Sequence, residues 1–120
     1  MTDKENENLP VWTNQITPAV LAQMCKQLNK DLNRAGFFEQ ISEVADPVLM
    51  KNQLEAVLQK HLSADSKKIS NLLYAVDVPE AELNAFLSEE IVELSTALTW
   101  LIIKRTWQKI NLRINGFRTV

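Results

Sequence analysis

Nucleophilic catalysis through a thiol needs a cysteine, a base within hydrogen-bond reach and donors for the developing oxyanion. This 120-residue chain carries one cysteine, Cys25, and one histidine, His61. Both fall on the inward-leaning faces of neighbouring predicted helices, so the two side chains are able to meet. The third requirement is missing. The chain has only two glycines, Gly36 and Gly116, and no GxGxxG, GxxxxGK[ST] or GxSxG loop to offer backbone N–H groups to an oxyanion or phosphate. A small thiol and a partly buried imidazole within a helical core are the simpler reading.

Metal chemistry is no better supplied. A structural zinc site draws four ligands from Cys and His, and this chain has two such residues. A carboxylate-bridged dimetal site in a helix bundle uses Glu-x-x-His pairs, but Leu58 stands three residues before His61. Glu89 with Glu93, and Glu82 with Glu89, share helical faces, where carboxylates are ordinarily solvated. Haem ligation by His61 with Met24 or Met50 has no supporting motif. The sequence implies no cofactor, no metal and no catalytic residue, so the expectation is a protein that is not an enzyme.

Composition sets the class. Apolar residues make up 46% and charged residues 23%, which is ordinary for a globular domain. Two glycines and four prolines are too few for the many turns of an all-β domain. A net charge of −2 disfavours a nucleic-acid coat. The polar start Met-Thr-Asp-Lys-Glu-Asn-Glu-Asn has no apolar signal region, and the apolar run Leu98–Ile103 is too short to span a bilayer. A cytoplasmic protein is expected, without a membrane.

The elements that position these residues are predicted from caps and periodicity. Thr17-Pro18 starts a helix that runs to about Arg34 and stops at Gly36, with Leu21, Met24, Leu28 and Leu32 on its apolar side. Phe37, Phe38, Ile41 and Val44 are spaced for one or two further helical turns. Asp46-Pro47 starts a second helix to about Leu62. A third carries Ile69, Leu72, Leu73 and Val76 at i, i+3, i+4, i+7. Asp77-Val78-Pro79-Glu80 resembles a capping box, with Asp77 as N-cap of a short helix bearing Leu83, Phe86 and Leu87. A bend is expected at Ser88, then a long helix to about Asn115.

That last helix has two apolar faces. At 100° per residue, Ile91, Leu94, Leu98, Leu101, Ile102 and Leu112 fall on one side. Val92, Trp100, Ile103, Trp107, Ile110 and Ile114 fall roughly opposite. A helix at the edge of a monomer needs one stripe. Two stripes mean a central helix wrapped by its own chain or a second face kept for a partner. The helix would reach about 40 Å, more than the roughly 28 Å of a compact body of this size, so part of it is expected to project.

Charge is segregated along the chain. No lysine or arginine occurs from Ile69 to Ile103, while Lys104, Arg105, Lys109, Arg113 and Arg118 follow with no acid among them. Acids at a helix N-terminus and bases at its C-terminus complement the macrodipole. In an antiparallel pair of helices the two ends would also meet.

The sequence therefore predicts an all-α fold of four to five helices in an orthogonal or bundle-like array with a long central C-terminal helix. Residues 1–16 form a polar N-terminal arm and 17–120 a single helical domain. The leading functional expectation is a non-enzymatic interaction module, a homodimer or adaptor. It would bind itself or another protein through Trp100, Ile103, Trp107, Ile110 and Ile114, with Trp12 as a clasp. One alternative is a nucleic-acid-associated regulator using Lys104, Arg105, Lys109 and Arg113, with Lys67 and Lys68 as further bases. The other is a helical bundle that binds a small molecule in an apolar cavity.

Overall fold

Thr17 begins the first helix through its own side chain. Its backbone is extended (φ −79°, ψ 162°), and its hydroxyl oxygen accepts from the Val20 N–H at 3.2 Å. The computed structural model describes residues 11–43, 46–62, 64, 66–82 and 91–115. A 3-10 turn, Val11–Gln15, precedes α1 (Pro18–Arg34), α2 (Pro47–Leu62), α3 (Ser66–Val76) and α4 (Ile91–Asn115). The fold is all-α and bundle-like, and the long C-terminal helix packs against the others.

Helix ends follow from local chemistry. At the end of α1 the Phe37 N–H donates to the Leu32 carbonyl at 2.9 Å, and the Gly36 N–H to that of Asn33 at 3.1 Å. This pairing requires a left-handed residue at position 36, and Gly36 has φ +97°. The chain then turns back and buries Phe37 beside Leu32 in the core. Helix α2 is capped by Asp46, whose Oδ1 accepts from the Leu49 N–H at 3.0 Å.

Asp77 departs from expectation. A helix N-cap has extended backbone, whereas Asp77 has φ +70°. It closes α3 instead, in the position Gly36 holds at the end of α1. The Val78 N–H donates to the Leu73 carbonyl and the Asp77 N–H to that of Tyr74, both at 3.1 Å. Helical backbone resumes at Glu80. The predicted positions of Leu83, Phe86 and Leu87 and the bend at Ser88 lie outside the described residues.

The segment after Gly36 is also different from its prediction. Residues 37–43 form no helical turn. They cross from α1 to α2 as a strap whose backbone is satisfied by side-chain amides. Asn29 Oδ1 accepts from the Ile41 N–H at 2.6 Å, and Asn29 Nδ2 donates to the Ile41 carbonyl at 2.9 Å. The Ser42 N–H donates to Gln53 Oε1 at 2.8 Å. With these partners the segment has no need of a helical ladder. Phe37 and Ile41 turn inward, and Phe38 is left 93% exposed.

Helix α4 is the centre of the core. Helices α1 and α2 pack on it, and α3 contacts all three. No residue from Leu94 to Asn111 is fully exposed on any side. The two apolar stripes are both covered by the chain itself: Leu98, Leu101 and Ile102 on one, Ile103 and Ile110 on the other. Between them runs a line of small hydroxyl residues, Ser95, Thr99 and Thr106, all buried. Thr99 donates to the Ser95 carbonyl at 2.6 Å and Thr106 to that of Ile102 at 2.8 Å. These bonds one turn back satisfy the two threonine hydroxyls, and Gln59 Nε2 donates to the Ser95 hydroxyl at 3.4 Å. Twenty-five residues make a helix of about 37 Å, nearly the 39 Å longest dimension of the molecule. Only its last turn leaves the packed body, with Leu112 and Ile114 exposed.

The described part of the N-terminal segment lies against the body. Thr13 is buried and Ile16 packs against the core. Residues 1–10 and the side chain of Trp12 lie outside the described set.

Candidate functional site

Cys25 and His61 are engaged with different partners. Cys25 is buried on α1, and its thiol donates to the Ser42 carbonyl at 3.8 Å. His61 stands in the last turn of α2, its ring edge-on to Phe37 at 4.9 Å. Its Nε2 lies 2.8 Å from Glu39 Oε2. A carboxylate only accepts, so Nε2 carries the hydrogen. Lys60 Nζ is 3.1 Å from the same oxygen.

The His61 hydrogen bond is the main reason the Glu39 carboxyl is held at about 2, below its ordinary 4.5. Partial burial opposes this, and the residue's own N–H and Lys60 add to it. A carboxyl depressed in the folded state contributes stability above its unfolded pKa and loses it as pH falls through the folded value. The contribution is therefore full above about pH 4.5 and vanishes towards pH 2. Solvent screening holds it to about 1 kcal/mol. Glu39→Gln is expected to flatten the stability profile across that window in urea melts at successive pH values. An unchanged acid limb would show that the pair does not hold the strap.

The apolar strip predicted for partner binding divides. Ile103 and Ile110 are fully buried and belong to the core. Trp100 and Trp107 are partly buried and packed against it. Ile114 is 50% exposed. The strip is thus a core face at its centre and a surface only at its end. Trp100, Trp107 and Ile114 recur every seven residues, so they lie along one edge of the helix.

The predicted basic set also separates. Arg105 reaches the end of α3, where Nε donates to the Asp77 carbonyl at 3.0 Å and Nη2 to Asp77 Oδ2 at 3.2 Å. The acidic stretch and the basic end thus meet there within one chain. Lys109 Nζ lies 3.5 Å from Asp31 Oδ2 on α1. Arg113 Nη2 donates to Gln27 Oε1 at 3.1 Å. Lys104 is partly buried. Four bases facing different neighbours make no continuous phosphate-tracking stripe.

Sequence reasoning missed Asp31 and Gln27. Asp31 is fully buried on α1 and accepts from Gln27 Nε2 at 3.2 and 3.3 Å, with Arg34 3.7 Å away. Both residues lie in the inward register, three and seven residues after Met24. That spacing is the signal that would have found them.

A groove of about 580 Å³ opens beside this network, between α1 and the last turn of α4. Gln23, Lys26, Gln27, Lys30 and Arg113 line it. The lining is amide and cation, unlike the apolar cavity expected for a hydrophobic ligand. A smaller hollow of about 240 Å³ lies by Ser70, Leu73, Tyr74, Val78 and Glu80.

Among the described residues no three His, Cys, Asp or Glu side chains gather to hold a metal, and no helix is long and apolar enough to cross a membrane. No protein-family model matches the chain, nor does any curated protein or solved structure.

Proposed function

We propose that this chain is a non-enzymatic, cytoplasmic interaction module that binds a protein partner through the exposed end of α4. The observation that carries the reading is the change along one helix. From Leu94 to Asn111 its surroundings are packed, and in the next turn Leu112 and Ile114 are both exposed. Trp107, two turns before Ile114 on the same edge, extends this apolar end. Ile103 and Ile110 support the fold and are not contact residues. The separate engagement of Cys25 and His61 agrees with a role without catalysis. The nucleic-acid reading has less support, because Arg105 and Lys109 are each paired with an aspartate.

The partner to test first is a second copy. Absolute mass by light scattering, over a wide concentration range and at two salt concentrations, is expected to exceed one chain at the upper end. Leu112→Asp combined with Ile114→Asp is expected to return it to a single-chain mass with the helical circular dichroism unchanged. A single-chain mass for the parent protein at every concentration overturns self-association. A dimer that survives the double substitution overturns the assignment of the surface.

A further inference from the structure

We infer that the groove between α1 and the end of α4 is a binding site for a small molecule carrying at least two phosphoryl groups. This is independent of the apolar end and would stand if no protein partner binds there.

The charge on the groove wall is unbalanced. Among the described residues, Lys26, Lys30 and Arg113 line the groove and no carboxylate does. Lys26 and Lys30 are exposed, one turn apart on α1, and neither makes an ion pair among the described residues. Like charges at i, i+4 oppose the helix that carries them. Asp31, the one acid on α1, does not relieve them. It is fully buried and already faces Arg34 and Lys109.

The third cation is held in place. Gln27 is a buried amide whose two ends have fixed roles. Its Nε2 donates to Asp31, so its Oε1 is turned to accept from Arg113. Asp31 accordingly orients Gln27, and Gln27 seats the guanidinium on the groove wall. One Arg113 nitrogen is engaged in this contact, and a guanidinium has five N–H donors in a planar fork suited to phosphate. Gln23 adds a further amide to the lining.

Spacing selects the ligand class. Side chains one helical turn apart stand about 6 Å apart at their Cβ atoms. Two lysines so placed, facing a guanidinium, match linked phosphoryl groups better than a single anion. The volume is that of a small-ligand pocket. A nucleic-acid backbone would need the positive track to continue beyond it. Two other bases of α4 are otherwise occupied: Arg105 by Asp77 and Lys109 by Asp31.

The test is calorimetric titration of the full chain with inorganic tripolyphosphate at low ionic strength, where exposed charges are least screened. A Kd of about 0.1 mM is expected, with inorganic phosphate at least about tenfold weaker. Lys26→Ala with Lys30→Ala removes two exposed side chains and is expected to weaken tripolyphosphate binding by about tenfold or more. Lys67→Ala, outside the groove lining, should leave it unchanged. Amide chemical shifts should move at Gln23, Gln27 and Lys30. Absence of binding at about 5 mM tripolyphosphate overturns the proposal. So does binding that the double substitution leaves intact. Tighter binding of a single-stranded oligonucleotide that displaces tripolyphosphate would overturn the small-ligand assignment and give the groove to nucleic acid.

Discussion

Asp31→Ala is expected to destabilise the fold by about 2–3 kcal/mol. The carboxylate is fully buried, and it joins α1 to α4 through Lys109 while holding Gln27 in place. Removing it leaves a buried amide donor without its acceptor and the Lys109 ammonium against the protein without a counter-charge. The cost falls short of the largest values for broken buried pairs because Lys109 and Arg34 both retain access to water. Asp31→Asn keeps an acceptor for Gln27 and loses the charge, so it should cost less. Urea unfolding followed by circular dichroism checks both, with equal m-values showing that the denatured state has not changed. A loss below about 0.5 kcal/mol for Asp31→Ala would mean that the bridge contributes little beyond a surface pair. A lower affinity for tripolyphosphate in Asp31→Asn would link this network to the groove, since Gln27 seats Arg113.

The second large effect separates two isoleucines of one predicted strip. Ile103→Ala is expected to cost about 3–4 kcal/mol, because it removes a fully buried side chain from the centre of α4 and leaves a cavity. Ile114→Ala, at a half-exposed position in the final turn, should stay within about 0.5 kcal/mol. The reverse holds for partner binding, where only the Ile114 substitution should act on a folded protein. Paired denaturation curves and light-scattering masses decide this. Similar costs at the two sites would show that the last turn is packed as tightly as the helix centre.

These two experiments also bear on where function resides. Among the described residues, α4 is surrounded from Leu94 to Asn111, and the surfaces left are its exposed last turn, the basic groove beside it, and the exposed side chains Phe38, Leu49 and Tyr74 on other elements. The first two adjoin, because Arg113 in the final turn contacts Gln27 on α1.

Much of the architecture was legible in the residues themselves. Thr17-Pro18, Gly36 and Asp46-Pro47 mark helix ends because caps and left-handed stops are chemistry of two to six neighbouring residues. The apolar periods of α1, α3 and α4 are equally local, since they need only the helical repeat. Asp77 misled because Asp serves two kinds of helix end. An aspartate suits an N-cap, and it also tolerates the left-handed backbone of a C-terminal stop. The strap over residues 37–43 was illegible for a different reason. Its backbone partners are Asn29 and Gln53, more than ten residues away, and no local pattern announces them.

The candidate sites divide along the same line. Residue types and their spacing were enough to show that α4 has two apolar faces, that its C-terminal end is basic, and that one thiol and one imidazole are all the chain offers of those groups. It took the packed fold to show that both faces are covered along most of their length by the same chain, that Ser95, Thr99 and Thr106 are buried between them, and that Asp31 and Gln27 place Arg113 in one groove with Lys26 and Lys30. The physical reason is that periodicity defines a face without saying what will cover it. Coverage, and the charges left unbalanced by it, arise when distant segments pack together.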